Sequence, residues 1–274
     1  MSQINIGGVK IFYEVRGDPN GSETIAFLNG VMASTAGWSY QLELFEKRGF
    51  RILLHDFRGQ LLSDKPEGPY TFRRHAEDVI ALFDELGVKK AHLIGTSYGG
   101  EVGMRLGIDF SSRVKSLSII DSVSEVDDLL RLHVCNWQKL AEEGNPANFF
   151  WGMAPTCYGS RYLERNKGLL QQRADHLAKV PADFFAGQVT LYKCFLQDLA
   201  MTQELVKISS PTLVVCGEDD IIKPPRFSRI IARNIPEAEF AIIPDCGHVT
   251  IFEQHRVLNS LLFGFVQKHS EFFK

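Results

Sequence analysis

A chain of 274 residues, 45% of them hydrophobic, holds enough apolar material for one large core with at most a small attached lobe. Its formal net charge of −3 leaves no surplus of Lys and Arg to neutralise phosphates or an anionic membrane surface, which argues against nucleic-acid and membrane partners. The first ten residues show no basic stretch followed by an apolar run, and no segment approaches the roughly 18 consecutive apolar residues of a membrane span, so the expected compartment is the cytoplasm.

Along the first sixty residues, β-type runs alternate with turn residues: 9–15, then 24–28 ending at Asn29-Gly30, then 51–55 ending at Asp56. Over 71–86 the apolar residues Phe72, Ala76, Val79, Phe83 and Leu86 recur at steps of four and three, which predicts an amphipathic helix, and Gly87 stands where its C-terminal cap belongs. A short strand at 91–94, a helix at 97–108 and a strand at 114–121 then give the strand-helix-strand rhythm of parallel βαβ units. Gly99, Gly103 and Gly107, four apart in that helix, predict a close approach of its backbone to the sheet. From 122 to 210 the pattern is helical and shows no strand. Parallel rhythm resumes with a strand at 211–216, a helix at 226–234, a strand at 239–243 and a last helix bearing Leu258, Leu261, Leu262 and Phe265. The expectation is an α/β fold with a mostly parallel, doubly wound sheet, its core formed by 1–121 and 211–274 and interrupted by a helical cap over 122–210.

Gly95-Thr96-Ser97-Tyr98-Gly99 fits G-x-S-x-G at a strand-to-helix junction, where flanking glycines permit a strained turn that lifts a serine hydroxyl clear of the sheet. Five residues of this composition recur by chance, and the bland alternative is a glycine turn with a capping serine; the junction is what favours a nucleophile. The same turn puts the Tyr98 N–H at a helix N-terminus, aimed at developing negative charge. A serine hydroxyl needs a base within hydrogen-bond reach and a carboxylate to orient that base. Of eight histidines, His248 alone is flanked by Gly247 at the end of a late strand, and it is the expected base. Gly217-Glu218-Asp219-Asp220 ends the preceding strand and supplies carboxylates; Asp121 is a third candidate, with the capping of the next helix as its alternative use. The five cysteines form no C-x-x-C pair, and Cys246, two residues before His248, has no neighbouring cation to activate it, so all five read as reduced thiols.

With the early run Phe27-Leu28-Asn29-Gly30 and the turn Asp56-Phe57-Arg58-Gly59-Gln60-Leu61-Leu62-Ser63, these motifs occur in the order seen in the α/β-hydrolase superfamily, which the chain resembles over nearly its whole length. It is most similar to small bacterial esterases and enol-lactonase-like members. The resemblance implies a triad of Ser97, His248 and Asp220, with Asp121 and Asp219 as less favoured acids, and an oxyanion hole from the N–H groups of Val31 and Tyr98. It implies no metal and no organic cofactor. Two departures stand out: Asn29 where the family has His, expected to rewire the neighbouring loops without loss of the hole, and Leu61 where a second Gly is usual, expected at the pocket rim or over the core.

The implied reaction is cleavage of a carboxylic ester or lactone of a small, largely apolar molecule through an acyl-enzyme. Same-fold carbon-carbon bond hydrolases, prolyl aminopeptidases and haloperoxidase-like enzymes share the triad, and a triad-bearing small-molecule receptor is the non-enzymatic alternative. Serine at the elbow disfavours dehalogenase and epoxide hydrolase chemistry, which use aspartate there. Trp137, Phe149, Phe150, Trp151 and Tyr158 are pocket-lining candidates or cap glue. Glu142, Glu143, Glu164 and Asp183 fall beside Lys139, Arg161, Arg165 and Lys179 and read as a solvated mixed-charge face, not an ammonium-binding cluster. Nothing in the sequence sets the oligomeric state.

Overall fold

A computed structural model describes residues 2–271. Eight strands form one sheet in the spatial order β1-β2-β4-β3-β5-β6-β7-β8. The edge hairpin β1 (Ser2–Ile6) and β2 (Val9–Gly17) is antiparallel, and β2 also runs antiparallel to its neighbour β4. The other six are parallel: β3 (Thr24–Leu28), β4 (Arg51–His55), β5 (Ala91–Thr96), β6 (Val114–Ile120), β7 (Thr212–Gly217) and β8 (Glu239–Ile243). Strands β3 and β5 are buried along their whole length, as parallel strands covered on both faces must be.

Their side chains alternate between two apolar clusters. Ala26, Leu28, Leu53, Leu93, Leu117 and Val214 point to one side, against α2 (Phe72–Glu85), α3 (Tyr98–Asp109) and α9 (Pro225–Asn234). Ile25, Phe27, Ile52, Ile94, Ile120 and Val215 point to the other, against α1 (Ser39–Glu46) and α11 (His255–His269). The short α10 (Thr250–Glu253) leads into α11. Between β6 and β7 the chain is helical: α4 (Asp128–Glu143), α5 (Pro146–Cys157), α6 (Ser160–Arg165), α7 (Lys167–Leu177) and α8 (Phe184–Asp198). Among the described residues no helix is long and apolar enough to cross a membrane.

This topology fixes where a site can form. After β4 the chain crosses to the far side of β3, so the loops leaving the C-terminal ends of β3 and β5 diverge and open a crevice. At the β5–α3 junction Ser97 takes φ 52° and ψ −120°, and α3 leaves so close to the sheet that a Cβ on Gly99 would lie 2.0 Å from the Leu28 carbonyl oxygen. The glycine stripe splits from there. A Cβ on Gly103 would meet the Leu117 side chain at 2.9 Å, whereas one on Gly107 would meet Ile208, outside the sheet, at 3.3 Å. Only the first two of the three therefore serve the approach to the sheet.

Gly99→Ala should lower the urea midpoint sharply, by the equivalent of roughly 3 kcal/mol or more, because a backbone carbonyl cannot move aside for the added carbon. Gly107→Ala, facing a flexible side chain and gaining helix propensity, should stay within about 1 kcal/mol of the wild type.

Candidate functional site

Three strand ends converge at the crevice. Ser97 follows β5, Asp220 lies in the turn after β7, and His248 lies in the loop after β8. Asp220 Oδ2 stands 2.7 Å from His248 Nδ1, and His248 Nε2 stands 3.0 Å from Ser97 Oγ. An ionised carboxylate can only accept, so Nδ1 carries the proton and Nε2 is free to take the serine hydroxyl's hydrogen. Asp220 Oδ1 accepts from the N–H groups of Ile222 (3.0 Å) and Lys223 (2.8 Å), which fix the carboxylate plane. Burial alone depresses the His248 pKa, but the charge and hydrogen bond of Asp220, with Asp121 behind them, outweigh it and leave the imidazole above its ordinary value. Three other histidines are buried in the body of the fold and held neutral by desolvation: His55 down to about 4, His75 to about 3 and His92 to about 4.

The other candidate acids are placed elsewhere. Asp219 is exposed, with its N–H donated to the Cys246 carbonyl. Asp121, at φ 49°, is buried behind the site: Oδ1 accepts from the Gly217 N–H at 3.0 Å and Oδ2 from the Thr250 hydroxyl at 2.5 Å. It ties the β7 turn to the segment after His248, where Oδ2 also accepts the N–H of Thr250 at 3.3 Å, and it does not cap α4, whose N-cap is Asp127. Its pKa is raised by burial and by the charge of Asp220.

Gly30 packs against Ser97, with a Cβ on Gly30 falling 3.6 Å from that of Ser97, so Val31, whose N–H is the expected oxyanion donor, follows a turn packed on Ser97, and the Tyr98 N–H opens α3. Among the described residues neither N–H meets a protein acceptor. Asn29 bridges loops as expected: Nδ2 donates to the His55 carbonyl (2.8 Å) and Asp56 (3.0 Å), and Oδ1 accepts from Trp38 Nε1 (2.8 Å). Gln60, which sequence reasoning passed over, donates to the Gly30 carbonyl at 2.8 Å and so orients the turn that carries Val31. Leu61 packs on the main core, away from the Ser97 cavity. The Tyr98 side chain is buried, its hydroxyl 2.9 Å from His75, and anchors the first turn of α3.

Sequence reasoning also missed a buried ion pair. Lys223 Nζ donates to Glu101 at 2.7 Å and to Ser97 Oγ at 3.1 Å, and lies 5.0 Å from the Phe195 ring centroid. Lys223 is 3% exposed and Glu101 fully buried, so the ammonium is held against the nucleophile out of bulk water. The only signal was a lysine three residues past the candidate acid and an acid in the first turn of the helix after the serine, where a solvated charge complementing the helix N-terminus is the commoner arrangement.

Ser97 opens on a cavity of about 260 Å³, lined chiefly by Val31, Met32, Trp137, Phe150, Tyr158 and Phe252, and on a second of about 20 Å³ between Val31, Trp137, Tyr192 and Lys223. Phe149 instead joins Phe184 and Phe185 in the main core, and Trp151 faces solvent at 41% exposure with its ring edge-on to Phe150. Glu142, Glu143, Glu164 and Asp183 are all exposed, and none lines the Ser97 cavity. Cys246 is buried, its thiol pKa raised by desolvation, and all five cysteines are free. Among the described residues no group of three His, Cys, Asp or Glu is placed to hold a metal ion.

Comparison with known proteins identifies the family. The chain is 27% identical over 262 residues to a protein of Azorhizobium caulinodans named as a carbamate hydrolase, RutD, covering 94% of this chain and 96% of that one. It is 26% identical over 268 residues to 3-oxoadipate enol-lactonase 1 of Acinetobacter baylyi, covering 96% and 95%. The structure superposes with a TM-score of 0.90 on MGS-M2, an α/β-hydrolase enzyme from a Medee basin deep-sea metagenome, at 25% identity and 97% coverage of both chains. The model of the α/β-hydrolase fold family matches residues 23–254, and the chain belongs to that family.

Proposed function

We propose that the protein is a serine hydrolase that cleaves a carboxylic ester or lactone of a small molecule with a largely apolar body. The observation that carries this reading is the continuous chain of hydrogen bonds from Asp220 through His248 to Ser97, opening on a mostly apolar cavity. Ser97 Oγ attacks the scissile carbonyl as its proton passes to His248 Nε2, and Asp220 stabilises the imidazolium. The Val31 and Tyr98 N–H groups hold the oxyanion. Collapse of the tetrahedral intermediate breaks the bond to the leaving oxygen, which takes the proton from His248. Water then attacks the acyl-enzyme by the same steps and frees the acid and Ser97. The names of the enol-lactonase and carbamate hydrolase relatives support acyl transfer to water as the reaction class. Exposure of the four cap acids argues against a site for a substrate ammonium, and hence against the aminopeptidase reading. Five free thiols are consistent with a cytoplasmic location.

Lys223 has a part in this chemistry. Its Nζ donates to Ser97 Oγ, so it favours the charge that builds on that oxygen as the proton leaves, and it is hydrogen-bonded in the same buried setting to Glu101, whose carboxyl pKa is raised by burial.

Ser97→Ala should abolish labelling by a fluorophosphonate and reduce kcat on p-nitrophenyl esters by roughly a thousandfold or more; full activity in that variant would end the serine mechanism. Asp220→Asn should lower kcat by ~10³ to 10⁴, at least tenfold more than Asp121→Asn, since only the residue bonded to Nδ1 sets the tautomer.

The pH profile offers a separate check. Catalysis needs neutral His248, and its pKa is raised, so kcat/KM should climb with pH along an acid limb whose midpoint lies above the ordinary imidazole value of about 6.5. Lys223→Met removes a charge that opposes protonation of His248, so it should move that limb to higher pH and lower the plateau by roughly tenfold or more. An unmoved limb with full activity would reduce Lys223 to a packing residue.

A further inference from the structure

The larger cavity contains a cation that the triad does not use. Arg173, on α7, is the one permanently charged side chain lining it among the described residues. Its guanidinium lies 4.1 Å from the centroid of the Phe252 ring and donates through Nη1 to the Tyr158 hydroxyl at 3.0 Å. Among the described residues no ion pair joins it to a carboxylate; the Tyr162 phenol is a second hydrogen-bonding neighbour, and the cavity that Arg173 lines is otherwise walled by residues such as Val31, Met32, Phe150 and Met153. A guanidinium stacked on one ring and tethered to a second is held flat and in place, the arrangement that suits bidentate capture of a carboxylate.

Each nearby group that might neutralise it is otherwise engaged. Burial pushes the Tyr158 phenol up to about 12, so it stays protonated and supplies no charge. Glu253 accepts from the N–H groups of Gly247 (3.0 Å), Gly159 (3.1 Å) and Val249 (3.4 Å), which hold the loop around His248. The other cation beside Ser97, Lys223, already has Glu101 and adjoins a cavity with room for about one water. An extended substrate therefore has only the larger cavity to enter, and an unpaired cation on an apolar wall is stabilised by an anion that arrives with the ligand.

We infer that the substrate's acyl portion runs into the larger cavity and ends in a carboxylate held by Arg173, remote from the scissile carbonyl. This inference rests on the hydrolase reading and narrows its substrate to anionic esters or lactones with an apolar middle.

The test uses monomethyl esters of the straight-chain diacids from C4 to C8, each against the methyl ester of the neutral acid of equal length, with methanol release as the readout. The charged ester should win by roughly tenfold to a hundredfold in kcat/KM at one or two chain lengths, the gain of a charge-assisted pair in a mostly apolar site. Arg173→Met should bring that ratio to one or below, and Arg173→Lys should retain part of it. Calorimetry adds an arm free of turnover: the diacids should bind Ser97→Ala protein, and the further Arg173→Met change should weaken that binding at least tenfold. Ester turnover with no preference for charge at any length, or a preference that Arg173→Met leaves intact, overturns the carboxylate site. Diacid binding that depends on Arg173 without turnover of any ester overturns the hydrolase reading and leaves the carboxylate site standing.

Discussion

The site depends on a single backbone constraint: the chain must turn from β5 into α3 through a left-handed serine while α3 presses against the carbonyl end of β3. A non-glycine residue at φ 52° is strained by about 1–3 kcal/mol and persists only where its surroundings leave no alternative. Here a Cβ on Gly95 would fall 2.4 Å from the Gly99 carbonyl oxygen, and one on Gly99 would fall 2.0 Å from that of Leu28. Both glycines are thus required by the turn that Ser97 completes. The same compression sets the Gly30 turn against Ser97, so the proposed nucleophile and the proposed oxyanion donors are brought together by one packing event. Of the four non-glycine residues with positive φ among the described residues, Ser97 and Asp121 sit at the ends of adjacent strands and Asp245 opens the loop of His248; Glu237 alone of these four is unconnected to the site.

Around that turn the fold buries more charge than stability alone would favour. Asp121, Asp220, His248, Lys223 and Glu101 all lie below 8% exposure. Buried ions are tolerated only when their oxygens and N–H groups are met, and the fold meets most of them with backbone: Ile222 and Lys223 on Asp220, Gly217 on Asp121, Val123 on Glu101. Asp121 then acts at one remove. Held between Gly217 and Thr250, it fixes the two loops whose side chains must meet, and its charge adds to that of Asp220 in favouring protonated His248. Lys223 opposes it from the other side of the serine. The base is tuned between these charges.

Much of this was legible in the sequence because it is local. The alternation of strands with the α2 and α3 helices, the glycine-flanked serine and the glycine-flanked histidine are each written within a few residues, and the family motifs pointed to Asp220, which the structure brings against His248. Contacts across long separations were not legible. Lys223 meets Glu101 over 122 positions and Ser97 over 126, and neither residue type announces a partner. Gln60 reaches Gly30 through a hydrogen bond that no periodicity encodes. The aromatic run in the cap shows the limit most clearly: Phe149, Phe150 and Trp151 are consecutive on α5, so helical geometry sends them in different directions, to the core, the cavity and solvent. Composition named the segment but had no means of choosing the face. Strand β1 escaped because its pattern of one buried and four more open residues at a sheet edge carries little periodic signal.

The cap connects two properties that the core keeps apart. It leaves the sheet after β6 and returns before β7, so it contributes none of Ser97, Asp220 and His248. Val31, Ser97 and Trp137 border both cavities, and two of these three belong to the core. In the proposed reaction the scissile carbon sits at a junction whose geometry the core fixes, while Trp137 and the other residues of the inserted helices set how much space lies on each side. That space is unequal by an order of magnitude, about 260 against 20 Å³. Changes on α4, α5 or α7 can therefore alter which molecules fit without disturbing the strained turn at Ser97, because the contacts that enforce that turn come from β3, β5, α3 and the end of β6 with Ser122.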